Sequence, residues 1–262
     1  MDLQQVKRIA VAAAFSGGRI LLSHFGNRFR IEKKSANDLV TEADIASERI
    51  IVDIIGKTFP SHTIVAEESG VRPGSEIFSW LIDPLDGTTN FAHGIGIFAI
   101  SIAFVRQGIP VVGVVLNPIT GELFSAVTNQ GATLNGRPIS VSQTDCLADG
   151  LLATGFPYNL KEIRDPLMRR LSRGLDASRG VRRLGAAALD LCFLACGRFD
   201  GFWEQNLKPW DTAAGTVIAC EAGARVTDFN DHPFRVTGDC ILATNGRIHT
   251  EMINLMNLDK RP

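Results

Sequence analysis

Apolar residues recur at helical spacing from the start of the chain. Val6, Ile9, Ala10, Ala13, Ala14, Ile20 and Leu21 share one face, which predicts a helix over about residues 2–24, loosened at Gly17-Gly18. A polar link over 27–37 follows. Asp38 then precedes a second helical pattern carried by Ile45, Ile50, Ile51, Ile54 and Ile55 and ending near Gly56. The pattern next becomes strand-like: residues 62–66 run into Glu67-Glu68-Ser69, and residues 78–82 run into Asp83. Residues 97–140 are rich in Val, Ile and Phe. Breaks at Gln107-Gly108, Asn117-Pro118, Thr120-Gly121 and Asn135-Gly136 make this stretch an antiparallel meander. Beyond residue 145 the style changes. A strand at 151–154 is followed by helical patterns over 161–175, 186–197 and 212–222, with short strands near 199–204, 224–228 and 239–244. This alternation predicts an α/β layered part. The expected organisation is an N-terminal α+β part over 1–145 and a C-terminal α/β part over 146–262, joined as one continuous unit without linker or repeat.

Composition narrows the function classes. The chain has 262 residues, 45% hydrophobic and 21% charged, with a net charge of −1, so there is no general electrostatic footprint for nucleic acid or an anionic membrane. Five cysteines form no CxxC pair and read as buried free thiols. No stretch approaches the ~20 apolar residues of a membrane span. The short apolar run at 9–15 is broken by Ser16-Gly17-Gly18-Arg19 and makes a poor signal peptide, so a cytoplasmic protein is expected.

The chemistry concentrates in three segments. In Asp83-Pro84-Leu85-Asp86-Gly87-Thr88-Thr89-Asn90-Phe91, an apolar strand delivers a carboxylate into a tight turn. Pro84 keeps Asp83 extended, Gly87 adopts angles closed to other residues, and Thr88, Thr89 or Asn90 is placed to cap a following helix. Carboxylates there suit hard cations, and free N–H groups at a helix start suit phosphate oxygens. D-P-x-D-G alone is equally compatible with a structural turn, and the longer string is more specific. An aspartyl-phosphatase loop of the haloacid dehalogenase type is rejected, because Asp83 and Asp86 are three positions apart rather than two. Glu67, also at a strand end, is a candidate metal ligand or water-positioning group, while Glu68 reads as a solvated acid. Asp211, in Pro209-Trp210-Asp211-Thr212-Ala213-Ala214-Gly215, is placed to cap a helix, which by itself would explain it. Together these acids suit a multi-metal centre for in-line phosphoryl displacement. The five histidines show no ligand spacing.

The ordered set resembles the inositol monophosphatase family. D-P-L-D-G-T-T-N-F at 83–91 and W-D-T-A-A-G at 210–215 match its two signature motifs. Glu67-Glu68, Lys34 with Asp38-Leu39-Val40-Thr41-Glu42-Ala43-Asp44, Asn129-Gln130-Gly131-Ala132 with Asn135-Gly136, and Gly185-Ala186-Ala187 also fit its pattern. The resemblance implies an α/β (α+β) layered αβαβα sandwich of the inositol monophosphatase / fructose-1,6-bisphosphatase type. It implies a lithium-sensitive, Mg²⁺-dependent phosphatase, usually a homodimer, acting on a small phosphorylated polyol, foremost inositol-1-phosphate. By the same resemblance, one Mg²⁺ takes Glu67, Asp83 and the Leu85 carbonyl, and a second takes Asp83, Asp86 and Asp211. A third, weaker ion lies near Glu67. Glu67 and Thr88 activate a metal-bound water, Asp86 joins them as a catalytic residue, and Gly87 and Thr88 offer N–H groups to phosphate. The polyol is read by Asp86, Gly185, Ala187 and Glu204. Lys34 and Asp44 border the site in the family, while from the residues alone each reads as a solvated charge; Arg182 and Arg183 read equally as a surface pair or as groups that approach substrate or a dimer partner. Ala186 stands where the family often has a hydroxyl residue, which puts inositol preference in question. Fructose-1,6-bisphosphatase or dual activity, histidinol-phosphate phosphatase, and an RNA- or polymerase-associated regulator are the alternatives. Thr89 in place of Lys argues against a nucleotide 3′-phosphatase.

Overall fold

A computed structural model describes residues 1–26, 31–33, 39–157 and 160–258. Lys34 and the residues up to Asp38 lie outside the described residues. The N-terminal half runs α1 (Leu3–His24), β1 (Ile31–Lys33), β2 (Leu39–Thr41), α2 (Glu42–Thr58), β3 (His62–Ala66), β4 (Gly70–Arg72), β5 (Ser75–Asp86), α3 (Thr88–Ala92), β6 (Ala99–Arg106), β7 (Ile109–Asn117), β8 (Glu122–Val127), β9 (Ala132–Leu134) and β10 (Arg137–Ile139). The rest runs β11 (Leu151–Thr154), α4 (Leu160–Ala177), β12 (Gly180–Arg182), α5 (Ala187–Ala195), β13 (Gly201–Gln205), α6 (Pro209–Glu221), β14 (Arg225–Thr227), β15 (Cys240–Thr244) and α7 (His249–Met256).

Two large sheets organise the chain. One has eight strands in the order β10-β9-β8-β7-β6-β5-β3-β4 and the other five in the order β12-β11-β13-β15-β14. Side-chain alternation along the strands gives each sheet two apolar faces. Val6, Ala10, Ala13 and Leu21 of α1 and Ile51 and Ile55 of α2 pack with Trp80, Ile82, Ile102, Phe104 and Val114 on one face of the large sheet. Leu81, Ala103, Val115 and Phe124 on its other face meet α5 and α6, and those helices meet Phe202, Ile241 and Ala243 of the small sheet. Leu152, Trp203 and Leu242 face outward from the small sheet toward Met252, Leu255 and Met256 of α7. The layers are therefore α1/α2, large sheet, α5/α6, small sheet, α4/α7. The expected αβαβα sandwich and the antiparallel meander through β6–β10 are both present.

Four expectations are corrected. Gly17-Gly18 does not loosen α1, which is continuous. A Cβ on Gly17 would lie 2.7 Å from Ser47 Oγ, 2.8 Å from Ile51 Cδ1 and 2.9 Å from Ile100 Cδ1, so the glycine lets α1 close onto α2 and the sheet. The third C-terminal helix begins at Pro209 rather than 212, because proline suits a first helical position. The helix after Asp86 is N-capped by Gly87 at φ +93°, not by the side chain of Thr88, Thr89 or Asn90. Cys146 and Cys220 are exposed rather than buried. Helix α7 went unread, although Ile248, Met252, Leu255 and Met256 carry helical spacing.

Two expected results concern stability. Ala at Gly17 gains about 1 kcal/mol of helix propensity but overpacks a filled contact, which costs typically 1–3 kcal/mol. Gly17→Ala should therefore lower the urea midpoint, and an unchanged or higher midpoint would show that α1 tolerates the added methyl. Buried His62 accepts a hydrogen bond from Trp80 Nε1 at 3.1 Å and stacks on Phe59, and burial lowers its pKa. Buried His249, between Thr244, Thr227 and Asp231, is likewise pushed down by burial and by Arg225, against Asp231. A folded pKa held below the unfolded value near 6.5 gives stability that is present above pH ~6.5 and lost as pH falls toward the folded value. The stability difference between wild type and His62→Gln should therefore narrow on acidification from pH 7.5 to 5.5; a constant difference would show that His62 keeps its ordinary pKa.

Candidate active site

The site is assembled where the C-terminal ends of β3 and β5 meet α3, α5 and α6. Strands β3 and β5 are parallel, with Ala66 opposite Ile82, and Glu67 N–H donates to Ile82 O at 3.1 Å. Glu67 and Asp83 thus leave adjacent strands together. The β5–β6 ladder pairs Asp83 with Ser101 and then Asp86 with Ala99, so β5 carries one extra residue in a bulge. Within it, Asp83 Oδ1 accepts from Leu85 N–H at 2.9 Å. Thr88 Oγ1 lies 3.0 Å from Leu85 O and 3.3 Å from Asp44 Oδ1 and can donate its single proton to one at a time. Ser101, opposite Asp83, donates from Oγ to Trp210 O at 3.0 Å. That bond holds the start of α6, and with it Asp211, beside the bulge. Asp211 sits in the first turn of α6 and accepts from Lys208 N–H at 2.8 Å, so it caps from inside the helix rather than preceding it.

The C-terminal half closes over this floor. Asp86 Oδ2 accepts from Ala188 N–H at 2.8 Å, which makes Asp86 a remote cap for α5, whose own N-cap residue Ala186 has no capping side chain. Asn90 Nδ2 donates to Ile97 O at 2.7 Å and to Leu184 O at 2.8 Å, tying α3 to the loop before α5. Gly87 is confined there: a Cβ would stand 3.0 Å from Ile97 O and 3.2 Å from Gly185 O. Glu204, on β13, is buried against Gly155.

A cavity of about 340 Å³ results. Its wall includes the expected Glu67, Asp83, Leu85, Asp86, Gly87 and Thr88, and also Gly185, Ala187, Glu204 and Asp211. Asp44 is not on the wall and is tied to it by the bond from Thr88 Oγ1. Arg182 is exposed and off the wall, with Nη1 on Val181 O, whereas Arg183 lines it. Sequence reading also missed Ser47, which donates to Pro84 O at 3.2 Å, and Glu48, whose carboxylate accepts from Glu68 N–H at 2.7 Å and Ser69 N–H at 2.8 Å. Both sit in the apolar-looking pattern of α2. Phe156 and Lys208 also line the wall without any local sequence pattern that marks them, whereas Trp210 lines it from within the signature string at 210–215.

The acids disturb one another. Burial and then Glu67, Asp86 and Asp211 push Asp83 well above the carboxylate range. Burial pushes Asp86 up to about 7 and Glu67 adds to the rise, against the backbone N–H of Ala188. Glu204 is pushed up to about 8 by burial, Asp211 and Asp86, with Arg183 opposing. Among the described residues no three His, Cys, Asp or Glu side chains form a ready metal cage. Glu67, Asp83, Asp86, Glu204 and Asp211 instead line one wall. Every donor is oxygen, which fits a hard cation and not a thiolate or imidazole metal.

The layers and this all-oxygen pocket define an αβαβα sandwich with an acidic site at the ends of its strands. The inositol monophosphatase family model matches residues 2–257, and the chain belongs to that family. It is 47% identical over 253 residues, 96% of this chain and 88% of the relative, to an inositol-1-monophosphatase from Synechocystis. It is 41% identical over 249 residues, 94% of this chain and 93% of the relative, to Nus factor SuhB from Pasteurella multocida. The solved inositol monophosphatase from Anabaena superposes with a TM-score of 0.90 at 41% identity, covering 98% of this chain and 96% of that one. Among the described residues no helix is long and apolar enough to cross a membrane.

Proposed function

We propose that this chain is a Mg²⁺-dependent phosphatase that hydrolyses a small phosphate monoester, with inositol-1-phosphate as the first candidate. The supporting observation is the convergence of Glu67, Asp83, Asp86 and Asp211, distant in sequence, on one cavity beside Gly87 and Thr88. Glu67, Asp83, the Leu85 carbonyl, Asp86 and Asp211 would hold two to three Mg²⁺. Bound Mg²⁺ supplies neutralisation of phosphoryl charge and a lowered pKa for nearby water. Asp83 is held for this role by the Leu85 N–H. Glu67 and Thr88 orient a water for in-line attack, and the backbone N–H groups of Gly87 and Thr88 face the phosphate oxygens. Asp86, Gly185, Ala187 and Glu204 face the polyol, and Ala186 offers no hydroxyl to it. Fructose-1,6-bisphosphate and histidinol phosphate fit the same acidic floor and differ only at this end. We take residues 1–145 and 146–262 as one continuous unit, and the protein as a cytoplasmic homodimer without a membrane or nucleic-acid partner. A second reading, an RNA- or polymerase-associated regulator, is favoured by the relative called Nus factor SuhB.

The test is phosphate release from a panel of monoesters, with Mg²⁺ titrated and Li⁺ added. Mg²⁺-dependent turnover and inhibition at millimolar Li⁺ are expected, and no turnover of any ester at saturating Mg²⁺ would overturn the reading. Mg²⁺ should also raise the melting temperature of chelator-treated protein. A melting temperature that ignores Mg²⁺ would show that the acids hold no ion.

A further inference from the structure

Helix α2 buries polar side chains where an apolar stripe is the rule. Asp44, Ser47 and Glu48 lie three and four positions apart, so they share one face of the helix, and all three are buried. Such a face costs free energy unless its groups are hydrogen-bonded. Ser47 and Glu48 make their bonds to the two loops that leave β3 and β5. Glu67 opens the three-residue turn that joins β3 to β4, with Ala66 paired to Gly70. Strand β4 is three exposed residues at the edge of the large sheet, so the sheet holds this turn from one side only. Glu48 supplies the other hold: one carboxylate oxygen accepts the Glu68 N–H at 2.7 Å and the other accepts the Ser69 N–H at 2.8 Å. Bonds to an ionised acceptor are about twice as strong as neutral ones, so this is a firm clamp. Ser47, one residue earlier, donates to Pro84 O at 3.2 Å, while Leu85 N–H donates to Asp83 Oδ1 at 2.9 Å. The Pro84–Leu85 peptide is thereby held at both its oxygen and its nitrogen. Helix α1 closes on Ser47 at Gly17 and fixes α2 in turn. Both Ser47 and Glu48 stand behind the cavity wall rather than on it.

We propose that Ser47 and Glu48 are positioning residues: two adjacent positions of one helix set the separation between Glu67 on the first loop and Asp83 with the Leu85 carbonyl on the second. This rests on the reading of those three groups as holders of one Mg²⁺, and it adds what brings them to a common distance. The two loops are 16 residues apart at Glu67 and Asp83, and α2 touches both within a single peptide. Loss of either bond leaves the carboxylates in place on their strands but frees one loop to drift from the other.

The experiment titrates Mg²⁺ alone into chelator-treated wild type, Glu48→Ala, Glu48→Gln and Ser47→Ala, read by calorimetry and by the rise in melting temperature. Glu221→Ala is the matched control. Its carboxylate likewise accepts backbone N–H groups, those of Asn129, Gln130 and Gly131 at 2.8, 3.0 and 2.8 Å, but at the opposite end of α6 from Asp211. Removing the partners that orient a metal ligand typically costs 10–100-fold in affinity, so Glu48→Ala should weaken the tightest Mg²⁺ by about tenfold or more. Glu48→Gln keeps one acceptor oxygen and should fall between Glu48→Ala and wild type, and Ser47→Ala should weaken Mg²⁺ several-fold. Glu221→Ala should lower the melting temperature and leave Mg²⁺ affinity as in wild type. In turnover, the Glu48 variants should need more Mg²⁺ for half-maximal rate, with KM for the ester at saturating Mg²⁺ unchanged. Wild-type Mg²⁺ affinity in the Glu48 variants or in Ser47→Ala overturns the paired positioning. A loss in Glu221→Ala as large as in Glu48→Ala also overturns it, because the clamp would then act through overall stability alone. Should Glu48→Ala fail to fold, Glu48→Gln and Ser47→Ala carry the same comparison. If wild type itself binds no Mg²⁺, the metal reading fails and the proposal falls with it, whereas wild-type binding with indifferent variants fails the proposal alone.

Discussion

Asp211→Asn is expected to give a folded protein whose turnover at saturating Mg²⁺ falls about 100-fold, the rate equivalent of roughly 3 kcal/mol of lost transition-state stabilisation. The fold survives because the carboxylate does two separable things. It accepts the Lys208 N–H at 2.8 Å inside the first turn of α6, and an asparagine carbonyl oxygen can accept the same bond. What asparagine cannot supply is the negative charge beside Asp83 and Glu204, on which Asp211 acts through the field. Steady-state kinetics with circular dichroism on the same preparation checks both halves. Wild-type rates with a native spectrum would remove Asp211 from the metal site. A lost spectrum would show that its helix-capping role dominates.

Asp83→Asn should abolish measurable hydrolysis and, in chelator, make the protein more stable than wild type. Asp83 is buried among Glu67, Asp86 and Asp211, so without cations it is either ionised against three like charges or protonated at a cost that grows with pH. Its folded pKa is raised, so its favourable contribution is complete below the unfolded value near 3.9 and is lost as pH rises through the folded value. Asparagine removes that penalty and keeps an acceptor for the Leu85 N–H. The variant's gain in melting temperature should therefore be larger at pH 8 than at pH 5 in chelator, and Mg²⁺ should erase it by stabilising only wild type. A variant that melts below wild type at pH 8 in chelator would refute the electrostatic account. Stored repulsion at a functional site is the usual form of a stability–activity trade-off.

The motif acids were legible in sequence because each ends a strand or opens a helix, where local pattern and chemistry coincide. Their supports were not. Glu48 holds the Glu68–Ser69 amides across 20 residues, and Ser101 holds Trp210 across 109, and neither partner leaves a mark on the other's local pattern. Asp211 read as a cap for a helix starting at 212, but proline at 209 moved the start upstream and put the acid inside the first turn. Gly17-Gly18 read as weakness by propensity, whereas three side chains fill the space a methyl would need. Propensity is a per-residue quantity, and close approach is a property of two elements. Much of the meander and the alternating C-terminal layers were readable, since their breaks coincide with turn residues such as Asn135, at φ 50°, and Gly136, at φ 77°.

The bond from the Ala188 amide to Asp86 makes the middle layer of the sandwich an electrical neighbour of the site. Helix α5 packs between the two sheets, yet its first turn is capped by a carboxylate that we propose also meets the arriving cation. Whatever alters the charge on that one oxygen is therefore transmitted to the seam where both halves of the chain interlock. On that proposal, the Ala188 amide resonance should report how full the site is, readable with no substrate present.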